Sequence, residues 1–429
     1  MSLTLPNLVV ALPFGTAVVL ACVPSWRAGV WINAVVSSLV FVLACLLPWR
    51  SSGTLSTHLA LLTAFVAMTA SWLGWRDIRA ALAARRLNRR GAQHHHVALQ
   101  TLLGAILLAV LSDSPLVTWV AMTVAVAAVA GLTATVQTAE VRHAAGQLLA
   151  LGGPGLMLAL FGTLLLYIAA HQVAVAWSPA PALAVICLVL GYGGIAGLVP
   201  LHSWLPAALA AITPQAATLT GALLANMPLL VILRLRPPAA NEHGPPDAVL
   251  VVLGLATLLL AASCLLVRPT LRHSLTFAGM AQLGFIVVTL GLASRAATFA
   301  GVLLMTMLTL ARAAAFLCGN AAPTPAGVRT RQASIVALAA LPVFAFVLTA
   351  GPTADVVPWL MLPLGLGTLV VSGALFYDLR TIALPRGNGS FADLAELAPV
   401  WLLLALVVLL AVAMPGPVVE WFRTLAAFR

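Results

Sequence analysis

The 429-residue sequence contains no lysine and only ten carboxylates, although it has 21 arginines. An ionisable side chain at the centre of a bilayer costs about 3 kcal/mol on insertion scales, so membrane carboxylates and lysines usually mark ion pathways. Their scarcity argues against a proton relay built from buried acids and lysines.

Redox chemistry within the chain is also excluded by what is missing. The five cysteines fall one at a time within apolar runs and show no paired ligand spacing. There is no glycine-rich dinucleotide loop and no segment long and polar enough to form a soluble domain. We therefore expect no catalytic residue, no cofactor site and no metal site in this chain.

Apolar residues, in contrast, are abundant. They make up 62 % of the sequence, charged residues make up 7 %, and the mean hydropathy is +1.10, which a soluble domain does not reach. Runs of membrane-spanning length must be helical, because an open sheet would leave backbone groups unsatisfied in lipid. The sequence predicts an all-α polytopic membrane protein of about 14 transmembrane helices. The predicted spans are 7–22, 30–48, 58–74, 97–111, 116–136, 146–170, 180–200, 213–233, 249–267, 274–292, 296–318, 332–350, 356–377 and 396–414.

The net charge of +11 reports membrane topology first, rather than a nucleic-acid partner. Short segments rich in arginine stay on the cytoplasmic side of a membrane. The segment 75–96 is therefore predicted to be a cytoplasmic loop, and an even number of spans then leaves both termini outside. Six arginines crowd this segment, namely Arg76, Arg79, Arg85, Arg86, Arg89 and Arg90.

Three adjacent histidines, His94, His95 and His96, end the same segment. Histidine is a common metal ligand, but structural metal sites draw spaced ligands from a folded frame. Three neighbouring side chains on a loop give poor coordination geometry. The pattern favours a solvated loop over a metal site.

The most distinctive passage is 191–235, which begins GYGGIAGLVPLHSWLP. It resembles the antiporter-like membrane subunits of respiratory complex I and group 4 hydrogenases, and hydrogenase-4 component F in particular. The family pattern here is approximately GYGTKAGLVPLHSWLPDAH. The segments 61–65, 158–163 and 270–277 are similar to other helices of that family, so the likeness covers most of 55–380. The motif residues that match include Pro200, His202, Trp204 and Pro206.

The resemblance implies a fold of two inverted five-helix repeats, each with a broken helix. Gly/Pro interruptions near 191–200 and 341–352 agree with such repeats, but ordinary kinks explain them equally well. On this basis the chain divides into four parts. They are 1–96 (N-terminal helices and the arginine-rich loop), 97–234 (first repeat), 235–377 (second repeat) and 378–429 (a last transmembrane helix and an amphipathic tail).

The sequence departs from the family where the family relays protons. A glutamate on the fifth helix is replaced by Thr123, and the lysine of the broken seventh helix is replaced by Ile195. The neutral amides Asn226 and Gln282 stand at or near further relay positions. These replacements predict that the subunit's own channel is blocked or rebuilt.

Two ionisable residues remain in this part of the pattern. Arg312 lies near a family lysine, but arginine stays protonated and cannot both donate and accept a proton near neutral pH. It is either an electrostatic latch between helices or a functional remnant. His202 is able to titrate, although a satisfied histidine at a helix end is the commoner case.

The resemblance implies a non-catalytic membrane subunit of an NADH/quinone-type or hydrogenase-type oxidoreductase complex in a bacterial inner membrane. Its partners would be the lipid bilayer, other membrane subunits and a cytoplasmic redox subunit. A second hypothesis is a structural anchor that holds a cytoplasmic partner at the bilayer. A third is the coupling subunit of an inorganic carbon uptake system, whose partner would contain zinc.

Overall fold

The computed structural model describes residues 4–50, 54–135, 139–170, 180–235, 245–267, 270–318, 324–382 and 395–426. Every regular element in these ranges is helical. The α-helices are α1 (Leu5–Cys22), α2 (Trp26–Cys45), α3 (Leu47–Arg50), α4 (Leu55–Ala83), α5 (Arg89–Leu111), α6 (Pro115–Ala134), α7 (Ala139–Ala170), α8 (Ala180–Ala196), α9 (Trp204–Ala211), α10 (Pro214–Thr218), α11 (Asn226–Leu235), α12 (Pro245–Val267), α13 (Leu271–Gly291), α14 (Arg295–Leu317), α15 (Pro325–Val356), α16 (Met361–Thr381), α17 (Ala398–Val412) and α18 (Gly416–Ala426). Short 3₁₀ turns occur at Leu201–Ser203 and Pro358–Leu360, and a π-helical turn occurs at Leu219–Leu223.

Thirteen helical segments are long and apolar enough to cross a membrane. The pair α17 and α18, bent by 83°, makes a fourteenth if it is counted as one span. The prediction of an all-α protein with about 14 transmembrane helices is confirmed.

Helix starts are fixed by polar side chains that cap the first turn. Asn88 Oδ1 accepts the backbone N–H of Gly91 at 2.6 Å at the start of α5. Ser294 Oγ does the same for Ala297 at the start of α14, at 3.1 Å. Each cap satisfies one of the backbone donors that a helix leaves unpaired at its first turn.

The predicted loop over 75–96 is wrong. Helix α4 continues to Ala83, α5 begins at Arg89, and only 84–88 lie between them. The Asn88 cap starts α5 two turns earlier than the apolar run does. His95 and His96 are consequently buried on the inner face of α5, and only His94 of the three is exposed.

The chain forms two compact units, Met1–Ala240 and Asn241–Arg429. In each unit one helix pair approaches so closely that only glycine fits at the crossing. A Cβ on Gly191 of α8 would lie 2.5 Å from the carbonyl oxygen of Gly155 in α7. A Cβ on Gly284 of α13 would lie 2.6 Å from the carbonyl oxygen of Gly254 in α12. Small residues of this kind let membrane helices pack backbone to backbone.

The two Gly/Pro-rich passages behave differently. After α8 the chain is interrupted at Gly197, whose φ is +93°, and a cis Val199–Pro200 bond precedes the turn into α9. Helix α15, however, runs without interruption through Pro342 and Pro352. Inverted repeats with a break in each half therefore remain a prediction.

Candidate relay positions and a buried polar cluster

The relay position on α6 carries a hydroxyl that is bonded to its own helix. Thr123 Oγ1 donates to the carbonyl of Trp119 at 3.0 Å, the local bond by which helical threonines are commonly satisfied. The indole of Trp119 in turn donates to the carbonyl of Leu156 at 2.8 Å, which fastens α6 to α7. Thr123 thus offers no group that titrates, and its hydroxyl is already used.

The relay position on α8 is a buried alkane, since Ile195 is only 1 % exposed. A polar cavity of about 140 Å³ lies nearby, between α6, α7, α8 and α11. Tyr192 lines this cavity and lies one helical turn before Ile195. The cavity is large enough for several water molecules, but Ile195 cannot exchange a proton with them.

The wall of this cavity is held by Arg234 near the end of α11. Its Nη1 donates to the carbonyl of Ser112 at 2.6 Å, and its Nη2 donates to the carbonyl of Val110 at 2.6 Å and to Ser56 Oγ at 2.7 Å. Arg234 therefore ties α11 to the end of α5 and the start of α4. Its role here is to hold three helices together.

The PLHSWLP motif braces the interruption between α8 and α9. Trp204 is buried, and its Nε1 donates to the carbonyl of Gly194 at 2.9 Å, back across the interruption. Pro206 is buried, Pro200 is exposed and His202 is half-buried. Nδ1 of His202 makes no hydrogen bond among the described residues. The motif thus has one anchoring side chain, Trp204.

Asn226 is buried and begins α11, shortly after the π-helical turn. Such π-turns occur frequently at functional sites. The structure does not bring Asn226 together with Thr123 or Ile195 through any described hydrogen bond.

Gln282 in the second unit has an evident structural partner. Its Nε2 donates to the carbonyl of Leu338 in α15 at 2.8 Å. That carbonyl would normally accept the backbone N–H four residues later, but residue 342 is proline and has none. Gln282 supplies the missing donor, which is how membrane helices accommodate an internal proline. A cavity of about 20 Å³, enough for one water molecule, lies beside Gln282 and Pro342.

Arg312 is buried in α14 and is 2 % exposed. Its side chain lies against Gly279 of α13, where a Cβ would approach the arginine Nε within 2.7 Å. Neither Nε nor Nη2 of Arg312 has a hydrogen-bond partner among the described residues. Arg312 is a buried fixed charge, and Gly279 provides the space for it.

The first unit contains a group of buried polar residues that the sequence pattern did not predict. We call it the polar cluster; its members are Asn33, Asp77, His95, His96, Thr213 and Gln215. Asn33 Nδ2 lies 2.6 Å from His96 Nδ1, and Thr213 Oγ1 lies 3.3 Å from His95 Nε2. The backbone N–H of Gln215 donates to Asp77 Oδ2 at 3.0 Å. The cluster thus joins α2, α4, α5 and the start of α10.

Asp77 and Thr213 together satisfy the first turn of α10. Thr213 Oγ1 accepts from the N–H of Ala216 at 3.3 Å, while Asp77 accepts from Gln215. A carboxylate at a helix N-terminus is favourable both as an acceptor and through the helix dipole. Asp77 is therefore the cross-helix cap that positions α10.

Two glycines make room for the cluster. A Cβ on Gly29 would lie 2.6 Å from Cδ2 of the His96 ring, and a Cβ on Gly74 would lie 2.5 Å from Oε1 of Gln215. A line of weaker polar contacts continues from the cluster between the helices. Ser37 Oγ lies 3.0 Å from Ser71 Oγ and accepts from Gln100 Nε2 at 3.5 Å.

A signal for the polar cluster is present in the sequence. His95, Leu99, Leu102 and Ile106 follow one another at helical spacing, so the inner face of α5 extends backwards into the arginine-rich segment. The charge of 75–96, taken alone, conceals this periodicity. Within the described ranges, no group of three or more His, Cys, Asp or Glu side chains is placed to hold a metal ion.

Residues 114–354 match the family model described as NADH:quinone oxidoreductase/Mrp antiporter, TM. The chain belongs to this family. It is 29 % identical to the hydrogenase-4 component F homolog of Methylacidiphilum infernorum (isolate V4), and the alignment covers 97 % of this chain and 98 % of that protein. A shorter match, 35 % identical, joins 28 % of this chain to 16 % of the chloroplastic NAD(P)H-quinone oxidoreductase subunit 5 of Lemna minor. The family predicted from the sequence is confirmed.

Solved structures share the fold. A chain of the Mrp complex from Dietzia sp. DQ12-45-1b superposes with a TM-score of 0.80 at 18 % identity, covering 100 % of this chain and 97 % of that one. A chain of respiratory complex I from Thermus thermophilus superposes with a TM-score of 0.74 at 19 % identity, covering 96 % and 99 %. The chain therefore has the fold of antiporter-like membrane subunits.

Proposed function

We propose that this chain is a membrane subunit of a hydrogenase-4-like or complex-I-like oxidoreductase assembly and that the family's proton relay is inactive in it. One observation supports this above all. The relay positions hold a hydroxyl bonded to its own helix, a buried alkane and an amide that serves a proline, at Thr123, Ile195 and Gln282. None of these groups titrates.

The subunit itself is non-catalytic under this proposal. Other membrane subunits pack beside it, and redox chemistry belongs to a cytoplasmic partner. The location is a bacterial inner membrane with the arginine-rich end of α4 and α5 on the cytoplasmic side, since arginine marks that side. Its proposed division remains N-terminal helices over 1–96, inverted repeats over 97–234 and 235–377, and a C-terminal part over 378–429.

The test uses the assembled parent complex in proteoliposomes, with proton uptake followed by a pH-sensitive dye. We expect Thr123→Val and Asn226→Leu variants to assemble and to keep the proton flux of the unchanged complex. Ile195→Lys, which adds a base one turn from the 140 Å³ cavity, probes the same path in the opposite direction. A collapse of flux in Thr123→Val or Asn226→Leu, with normal assembly, would show that the path is still in use.

A structural anchor is the second candidate function, and the exposed arginines at the end of α4 and the start of α5 favour it. Arg85, Arg86, Arg89 and Arg90 are all exposed. They offer a positive surface to a cytoplasmic partner. Replacing Arg85, Arg86 and Arg89 with Gln is expected to weaken partner capture in mild detergent while leaving the chain folded.

The identity of the captured partner separates the assemblies. A partner resembling a nickel–iron hydrogenase supports the oxidoreductase assembly. A zinc-containing partner instead supports the coupling subunit of an inorganic carbon uptake system. Unchanged capture by the triple variant would leave topology control as the role of these arginines.

A further inference from the structure

A large open groove lies between α2 and α4 in the first unit. Its volume is about 750 Å³, within the range of about 300–1,000 Å³ that ligand sites occupy. Four of the eleven tryptophans of the chain and two arginines line it. We call it the α2–α4 groove; these six residues are Trp26, Arg27, Trp31, Trp72, Trp75 and Arg79.

Side-chain size along the two helices creates the groove. Val30 and Ala34 of α2 and Ser71 of α4 form its floor, and all three are small and buried. Large side chains one turn away on each helix form the walls, because residues four apart share a helix face. The Trp31 and Trp72 rings meet edge to face across the groove, with their centroids 6.1 Å apart.

The two arginines sit at one end of the groove. Arg27 is in the first turn of α2, and Arg79 is one turn before the end of α4. Each guanidinium lies over an indole, Arg27 at 5.6 Å from the Trp26 ring centroid and Arg79 at 5.7 Å from that of Trp75. Both arginines are exposed. These cation–π contacts hold two positive charges in place while leaving their N–H donors open.

Among the described residues that line the groove, none is a carboxylate that would offset this charge. Asp77 is buried behind the groove and caps α10, and Asp113 lines the cavity at the other end of the helices. The groove therefore presents a positive mouth at the end of two membrane spans and an aromatic body along them, which is the pattern that suits a lipid with an anionic head.

We propose that the α2–α4 groove binds one anionic phospholipid. Arg27 and Arg79 hold its phosphate, and its acyl chains lie against Trp31 and Trp72. Arginine suits this role because its fork of N–H donors matches phosphate oxygens. Tryptophan suits the level of the headgroups, where one part of the ring meets water and the rest meets lipid.

The experiment measures quenching of tryptophan fluorescence by lipids with brominated acyl chains. The purified full chain is placed in phosphatidylcholine vesicles that contain either brominated phosphatidylglycerol or brominated phosphatidylcholine. We expect a preference for phosphatidylglycerol that falls roughly tenfold to thirtyfold in Arg27→Gln/Arg79→Gln, since each arginine near an anionic lipid contributes about fivefold. The variant Arg27→Lys/Arg79→Lys keeps the charge and is expected to recover part of the preference.

Two matched controls locate the effect. The variant Arg86→Gln/Arg90→Gln removes two exposed arginines from the same end of the unit but outside the groove. We expect it to keep the preference. The variant Trp31→Phe/Trp72→Phe is expected to lose most of the lipid-specific quenching, whereas Trp359→Phe/Trp401→Phe, which removes two exposed tryptophans of the second unit, keeps it.

Four results would overturn the proposal. One is an unchanged chain that shows no preference for phosphatidylglycerol. Another is an equal loss in both arginine pairs, which would mean that general surface charge attracts the lipid. The third is displacement of the lipid by millimolar inorganic phosphate, which would make the site one for free anions. The last is exclusion of the lipid in the assembled complex, which would show that a partner subunit occupies the groove.

Discussion

The two units of this chain bury polar side chains in opposite ways. In the first unit they meet across helices, as when Asp77 of α4 accepts from Gln215 of α10 and Asn33 of α2 contacts His96 of α5. In the second unit the hydroxyls turn back on their own helices. The threonine hydroxyls of α13 and α14 donate to carbonyls four residues earlier, as in Thr276, Thr289, Thr298, Thr306 and Thr309.

This difference shows that buried ionisable residues in a membrane protein need not mark an ion path. Asp77 caps a helix, and His95 pairs with the hydroxyl that caps the same helix. The polar cluster therefore fixes the placement of four helices. In the second unit, close glycine contacts and apolar packing do this work, and Gln282 serves a single proline. The cross-helix contacts should be the more costly ones to remove.

The largest effect is expected from Asp77→Ala. The change leaves the buried N–H of Gln215 without its acceptor and removes a charge from the N-terminus of α10. We expect a loss of about 3 kcal/mol in the free energy of unfolding, measured by denaturant titration in mild detergent and followed by circular dichroism.

Asp77→Asn keeps an acceptor oxygen and is expected to cost about 1 kcal/mol. The exposed Asp355→Ala is the surface control and is expected to stay within about 0.5 kcal/mol of the unchanged chain. If Asp77→Ala is as stable as this control, the polar cluster does not hold the first unit together.

Overpacking the cluster comes next. In Gly74→Ala the new methyl group would lie 2.5 Å from Gln215 Oε1, and in Gly29→Ala it would lie 2.6 Å from the His96 ring. Each is expected to cost about 2 kcal/mol, typical of methyl groups inserted into a packed interior. Gly15→Ala in α1 is the control, because nothing lies within 4 Å of its Cβ. It is expected to stabilise the helix slightly, and equal effects at all three sites would contradict the packing described here.

Much of the fold could be predicted from the sequence, because it depends on runs of apolar residues. Hydropathy alone indicates the number and the helical nature of the spans, and the PLHSWLP passage indicates the family. The replacements at Thr123 and Ile195 are also visible in the sequence. Their surroundings are not, since whether a hydroxyl bonds to its own helix is decided by rotamers and neighbours.

The polar cluster could not be predicted for a physical reason. Arginine content and helix continuation are separate signals, and over 75–96 they point in different directions. The charge pattern favoured a loop, whereas the Asn88 cap and the spacing of His95 and Leu99 favoured a helix. Contacts between residues 138 positions apart, such as Asp77 and Gln215, follow from helix packing that no local pattern encodes.

A moderate effect is expected in the second unit from Gln282→Leu. The carbonyl of Leu338 would lose its donor, and Pro342 offers no replacement, so the cost is about 1.5 kcal/mol. The matched background is Pro342→Ala, which restores an N–H four residues after Leu338. There the same Gln282→Leu change is expected to cost less than about 0.5 kcal/mol. An equal cost in both backgrounds in this double-mutant cycle would mean that Gln282 acts through something other than the proline.

The smallest effect, with the opposite sign, is expected from Arg312→Met. Nε and Nη2 of Arg312 are buried without hydrogen-bond partners among the described residues, and a buried charge is costly unless it is compensated. Methionine retains an unbranched apolar stem against Gly279 and removes the charge. The free energy of unfolding should therefore rise by about 1 kcal/mol, while the exposed Arg295→Met changes it little. A fall of similar size would mean that Arg312 holds a buried anion or water in the folded protein. The second unit would then contain a functional polar site, and its contrast with the first unit would be lost.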